Sequence, residues 1–320
     1  MISSTLSLKR YIRYWKHFAF HRLCKGKNGI SGPFAPFETT RIESFNEYGN
    51  YVRSMAGEYE SRNLTEQALL VEKEHFVVPG YCFVCSQPVS FLADYAYGFK
   101  NEDGRRIPNW RECLICPGCR LNNRMRAAIH LFQELCRPRS DCSLYITEQT
   151  TPMFKWLNGA FVNVNGSEFL GLDCFPGSKN TRGIRHEDLN KLSFADEQFD
   201  FVLSFDVFEH IPSYRKAFSE CRRVLKKGGA LFFTIPFDLH SARNIIRAKI
   251  LPDGTTKHLM PPEYHGDPLR ESGCLCFRHF GWECLEELRS EGFSEVACYL
   301  YWSREYGYLG GEQLLFLSRA

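Results

Sequence analysis

Cys82-x2-Cys85 and Cys116-x2-Cys119 offer four thiols as two close pairs. That spacing suits tetrahedral zinc, because each tight turn supplies two thiolates and the fold brings the turns together. The second pair reads CPGC, and Pro117 with Gly118 supplies turn residues. Cys113 stands three residues before Cys116 and is an alternative ligand, but its CLIC spacing has no turn residue. The pair Cys116 and Cys119 is therefore preferred. Four buried, unliganded cysteines would be the plainer reading, and paired knuckles with a turn signature argue against it. Four thiolates leave no open position, so the site would be structural.

A second set of candidates is acidic. The apolar run FDFVLSF (199–205) ends at Asp206, and Glu209 and His210 follow just beyond. Three other stretches also lead to acids: SLYIT (143–147) to Glu148, FVNVN (161–165) to Glu168, and GIRHEDLNKLSF, a third expected strand end, to Asp188. A carboxylate accepts two ribose hydroxyls or an amino group. One acid at a strand end is merely solvated, whereas four in succession point to a ligand. Histidine is the side chain suited to proton transfer near neutral pH, which makes His210 a candidate base, with Glu209 orienting it or binding an acceptor. The competing reading is a helix-start pair, since an acid near a helix N-terminus is favoured electrostatically. HLMPPEYHGDP (258–268) adds His258, His265 and Asp267. A second metal on His240, His258 and His265 would lack tight ligand spacing.

These residues need a scaffold. From residue 141 strands alternate with helices, which predicts a parallel sheet covered on both faces. Thr151-Pro152 reads as the cap and first residue of a helix. Pro212 opens a helix with Ala217, Phe218, Cys221, Val224 and Leu225 on one face, ended by Gly228-Gly229 before the strand ALFFTIP. GWECLEELRSEGF reads as a helix, and EVACYLYW and EQLLFLSR as a final strand pair. The chain divides into a helical accessory segment (1–75), a zinc-ribbon-like module with a following helix (76–140), and a third domain (141–320). An insert at 236–280 in that domain is placed to lid an acceptor pocket. Within 1–75, residues 3–24 place Leu8, Tyr11, Ile12, Trp15 and Phe18 at helical spacing, for packing rather than for a membrane surface or RNA. Residues 26–38 read as a loop and about 41–75 as a second helix. In RLNNRMRAAIHLFQEL (120–135), Arg120, Arg124 and Arg126 meet phosphates, another acid or solvent.

Composition narrows the classes. The hydrophobic fraction of 44% and charged fraction of 24% are those of a globular protein, and a net charge of +3 argues for neither a nucleic-acid nor a membrane partner. No apolar run approaches the roughly 18 residues of a membrane span, and no signal-peptide core is seen, so a cytoplasmic location is expected. Most of the 14 cysteines sit in apolar patterns, as small hydrophobes, rather than in a disulfide framework.

LSFADEQFDFVLSFDVFEHIPSYRKAFSECRRVLKKGGALFFTIPF resembles the second half of a class I S-adenosylmethionine-dependent methyltransferase of the type 11 kind. The likeness is closest over 186–237 and looser across 141–320. It implies an α/β, doubly wound, Rossmann-like sheet of seven strands, mostly parallel with an antiparallel last strand. It also implies S-adenosyl-L-methionine as cofactor. By that resemblance Asp188 and Leu189 contact adenine and Glu168 the ribose hydroxyls. Asp206, within the Ser204–Val207 strand end, contacts the methionine part, and Glu209 and His210 lie on the acceptor side. One departure stands out: the first turn, YITEQTTPMF, has no glycine where the family has several. Glu148 keeps the acid there, and Thr147, Thr150 and Thr151 offer hydroxyls and an open helix N-terminus. The implied activity is methyl transfer to a small polar or glycan-like acceptor, with His265 and Asp267 on the acceptor side. The alternatives are an RNA methyltransferase gripping through the ribbon, and a non-catalytic binding protein on a degenerate fold.

Overall fold

Four stretches, β4 (Ser143–Ile146), β5 (Asn163–Gly166), β6 (Phe199–Phe205) and β7 (Leu225–Thr234), pair in parallel in a computed structural model that describes residues 37–320. The expected helix over 3–24 lies outside the described residues. Two strands late in the chain, β8 (Ser294–Ser303) and β9 (Tyr308–Arg319), form an antiparallel pair, and β9 joins β7 antiparallel. A short strand, β1 (Thr39–Ile42), closes the far edge against β8, giving the order β1-β8-β9-β7-β6-β4-β5 in a seven-stranded sheet.

Alternating side chains bury both faces. Tyr145, Phe199, Val202 and Phe233 join one apolar cluster with Phe218 of α5 (Tyr214–Val224) and Leu285 of α6 (Glu283–Ser290). Leu144, Ile146, Phe201, Leu203 and Phe232 join the other, with Ile129 of α3 (Asn123–Leu131) and Leu157 of α4 (Pro152–Ala160). A strand covered on both sides has little room for polar residues, which is why β6 reads as a nearly continuous apolar run.

Three elements differ from expectation. The strand expected to end at Asp188 does not form; His186 makes a single parallel bridge with Glu168. Its backbone is engaged locally instead, with Gly177 N donating to His186 O (2.8 Å) and His186 N to Ser178 O (2.7 Å). The helix expected over 41–75 resolves into β1, α1 (Phe45–Ser54) and α2 (Ala56–Ala68). Ser44 caps α1 by accepting from Glu47 N, and Glu47 reaches back to Glu43 N, so the helix begins at Phe45 rather than near residue 41. The helix after Pro212 also ends early, at Val224, and β7 runs straight through Gly228-Gly229.

The cysteine pairs sit on a hairpin, β2 (His75–Cys82) and β3 (Gln87–Asp94), and on the loop before α3. α3 fastens this module to the sheet. Arg126, fully buried, donates to the carbonyls of Tyr306 (2.6 Å), Gly307 and Leu114. Asn123 Nδ2 donates to Leu309 O (2.8 Å) and Trp110 O. The insert after β7 is a set of two- and three-residue ladders held to the strand end, with Phe277 N donating to Glu209 O (2.9 Å). Buried Arg278 donates to the carbonyls of Ile211 and Pro212.

Candidate active site

The chain turns from β4 to β5 on one side and crosses to β6 on the other, so the sheet's switch point lies between the ends of β4 and β6. Ligands bind beyond strand ends at such points. Thr147 marks the spot, its Oγ1 3.1 Å from Ser204 Oγ. A cleft of about 2320 Å³ opens here, lined by Glu148, Glu168, Asp188, Leu189, Asp206, His210, His265 and Asp267, among others.

The turn without glycines is braced by side chains. Glu168 Oε1 accepts from Gln149 N (2.8 Å), Thr150 N (2.9 Å) and Thr150 Oγ1 (2.8 Å). Gln149 in turn holds the segment before Asp188, accepting from Arg185 N (2.7 Å) and donating to Gly183 O. Thr151 caps α4, accepting from Phe154 N (3.2 Å). The glycine that this arrangement requires is Gly166, at the end of β5. A Cβ there would lie 2.5 Å from the Phe154 ring and 2.8 Å from Glu148 O.

The four strand-end acids have different surroundings. Glu148 keeps Oε1 buried with no hydrogen bond, and loss of water pushes its carboxyl up to about 7, against a partial offset from Thr151 and Arg124. Asp188 Oδ1 accepts from Asn190 N and Nδ2, which keeps the acid at the cleft wall. Asp206 is fully engaged. Arg111 grips both its oxygens at 2.8 Å, Arg124 Nε lies 3.3 Å away, and Thr234 Oγ1 donates at 2.8 Å. Loss of water alone would raise its carboxyl, yet the two guanidiniums hold it well below the usual range. Both arginines come from the cysteine-bearing module and are tied together by Glu112.

On the opposite wall, His210 Nδ1 donates to Leu275 O at 2.9 Å, and its Nε2 stands 3.5 Å from Glu209 Oε1. His265 approaches the same oxygen with Nδ1 at 3.4 Å and meets Glu263 with Nε2 at 3.0 Å. The His265 imidazole is pushed up to about 11, first by the Cys276 thiol and then by Glu209. Asp267 shapes its own loop, accepting from Leu269 N and Cys274 Sγ. His258 lies exposed in a ladder, and His240 packs near the Tyr48 ring, so neither joins His265.

The sulfurs of Cys82, Cys85, Cys116 and Cys119 all lie within 4.8 Å of one another, with Cys82–Cys119 at 3.8 Å and Cys85–Cys116 at 3.7 Å. The edge of a sulfur tetrahedron with 2.3 Å metal bonds is about 3.8 Å. Cys113 is buried outside this group, its Sγ turned to Trp110 O. Gly118 is needed here, because a Cβ would come within 3.0 Å of Cys85 Sγ.

Residues 158–233, from the end of α4 through β7, match the family model described as a methyltransferase domain. A curated relative, a probable S-adenosylmethionine-dependent methyltransferase of Mycolicibacterium smegmatis, is 40% identical over 53 residues, which is 17% of this chain and 21% of the relative. The chain thus spans about a fifth of the length of the curated relative that it matches. Among solved structures, an S-adenosylmethionine-dependent methyltransferase from Mesorhizobium loti aligns with 60% of this chain and 98% of its own, at 16% identity and TM-score 0.36. The 1,6-didemethyltoxoflavin-N1-methyltransferase of Burkholderia thailandensis aligns with 61% of this chain and 77% of its own, at 14% identity and TM-score 0.36. Glu168, Asp188, Leu189, Asp206, Glu209 and His210 all fall inside the matched methyltransferase domain, whereas Glu148, His265, Asp267 and the four clustered cysteines lie outside it.

Sequence reasoning missed Arg111 and Glu263. Arg111 reaches Asp206 only through the tertiary fold. Glu263, inside the quoted PPEYHGDP segment, was passed over because nothing local marks an acid that orients two histidines.

Proposed function

We propose that the chain is an S-adenosylmethionine-dependent methyltransferase acting on a small polar or glycan-like acceptor. One observation carries this: Glu148, Glu168, Asp188 and Leu189 line a single cleft at the switch point of a sheet that contains a methyltransferase domain. The donor set suits the cofactor. Glu148 offers a buried oxygen without a hydrogen bond, and Glu168 braces the turn through Oε1, which leaves Oε2 for a hydroxyl. Asp188 and Leu189 offer an acceptor and an apolar surface side by side. Asp206 does not fit as a ligand-binding acid, because its charge is matched by Arg111 and Arg124. Its part is to fix the strand end and the cysteine-bearing module on one another.

When bound, the cofactor supplies an activated methyl on a sulfonium. The protein's own task is to align an acceptor and hold its proton. His210 Nε2 faces the acceptor side, with Glu209 beside it and His265 opposite, while Asp267 shapes the covering loop. A structural zinc on Cys82, Cys85, Cys116 and Cys119 would hold the module that delivers Arg111 and Arg124. The RNA reading loses support, because Arg124 pairs with acids and Arg126 is buried against carbonyls.

Calorimetric titration with S-adenosylhomocysteine tests the reading. The full chain should bind it, and Asp188→Ala should weaken binding by roughly 1.5–3 kcal/mol, the range for a hydrogen bond to a charged group. A folded wild-type chain that does not bind would leave the non-catalytic reading standing.

A further inference from the structure

We propose that Glu209, His210 and His265 form a divalent-metal site on the acceptor wall of the cleft, separate from the four cysteines. The ligand atoms of these three residues all lie within 4.8 Å of one another. Glu209 is completely buried, and neither carboxylate oxygen accepts a hydrogen bond. A buried carboxylate left alone is costly, so something must compensate it. The two imidazoles approach Oε1 at 3.4 and 3.5 Å. That is long for a charge-assisted hydrogen bond, which runs about 2.7–2.9 Å. It is close to the edge of a tetrahedron with metal bonds of 2.0–2.1 Å, which is about 3.4 Å.

The far nitrogens reinforce this. His210 Nδ1 lies 2.9 Å from the Leu275 carbonyl, which only accepts, so Nδ1 carries a proton and Nε2 is the nitrogen turned to Glu209. His265 Nε2 lies 3.0 Å from Glu263 Oε1 and donates to it, which turns Nδ1 toward Glu209; a metal there would take the place of the proton that Nδ1 otherwise carries. Glu263 is itself held by Arg247 and His279. Two imidazole nitrogens and a buried carboxylate thus converge on one point, and a divalent cation there would take all three as ligands, displacing the His265 proton. Metal-binding histidines are oriented in this way, the second nitrogen donating to a carboxylate or a carbonyl.

Three protein donors leave one position open, and His210 and His265 both line the cleft. An open nitrogen–nitrogen–oxygen set is that of a catalytic rather than a structural zinc-type site. The open position faces the acceptor side and would take water or an oxygen of the acceptor. That last point rests on the methyl-transfer reading; the metal site itself does not. With a metal bound, His210 is a ligand and not a base.

Cobalt(II) titration of the reduced, metal-stripped full chain is the test, read by metal content and visible absorption. The expected result is two equivalents, one with thiolate-to-cobalt charge-transfer bands and one with ligand-field bands alone. Glu209→Gln and His265→Asn should each weaken the second equivalent at least roughly tenfold and leave the thiolate-bound one in place. Thermal melting checks that each variant is folded, and two variants keep the test decisive should one not fold. A wild-type chain that takes up only the thiolate-bound equivalent overturns the proposal, as does a second equivalent that both variants bind as tightly. Protons on the imidazoles would then compensate Glu209. Because S-adenosylhomocysteine binding is measured separately, failure of the metal site is distinct from failure of the methyltransferase reading.

Discussion

Glu148 and Asp206 stand just past the ends of adjacent parallel strands in the same cleft, and their chemistry is opposite. Asp206 meets two guanidiniums and a hydroxyl and stays ionised. Glu148 meets almost no compensating group, and its carboxyl is pushed up to about 7. The strand-end position is thus not what makes an acid a ligand-binding group. The cysteine-bearing module makes the difference in charge state, by delivering Arg111 and Arg124 to Asp206 while Glu148 Oε1 stays without a hydrogen bond.

The largest test of that contrast removes both cations. Arg111→Met with Arg124→Met should cost roughly 3–5 kcal/mol in chemical denaturation, because part-buried Asp206 and Glu112 are both left without their cations. Adding Asp206→Asn should restore much of the loss. No recovery would mean that the arginines act by packing alone.

A smaller effect should appear at Glu148. Its folded pKa lies above the unfolded value of 4.5, so its stabilising contribution is complete below about 4.5 and is lost as pH rises through about 7. Glu148→Gln should flatten the decline in stability across that window by roughly 1–3 kcal/mol. Asp206 has the opposite sign: its contribution is present above its unfolded value of 3.8 and is lost as pH falls below it. Stability curves of the two single variants should therefore depart from wild type on opposite limbs. The smallest change is Thr234→Val, which removes one of several donors to Asp206 and should cost about 1 kcal/mol, with no effect on the Glu148 window.

What the sequence discloses follows the distance over which each feature is built. The cysteine knuckles are legible because each pair is set by its own tight turn. β6 and β7 are legible because a strand covered on both faces must be apolar throughout. The Arg111–Asp206 pair leaves no such mark; one partner sits in a loop of the ribbon and the other at a strand end. His210 and His265 meet only because the insert folds back on the strand end, whereas His240 and His258, which have no ligand spacing in the sequence, are not brought to His265. The expected strand before Asp188 has plausible residues, yet its backbone is taken by the local turn through Gly177 and Ser178. β1 escapes notice because TTRI carries little apolar signal and owes its existence to the edge of β8.

That edge strand has a kinetic consequence. Thr39 lies opposite Tyr301 and Ile42 opposite Cys298, so one of the first described segments pairs with one of the last. Closing so long a loop is entropically slow, and contacts of this separation lower folding rates. The β1 edge of the sheet must wait until nearly the whole described chain has left the ribosome. Until then β1 and the cysteine hairpin are held without the strands they dock on, so this edge is among the last parts of the sheet to close.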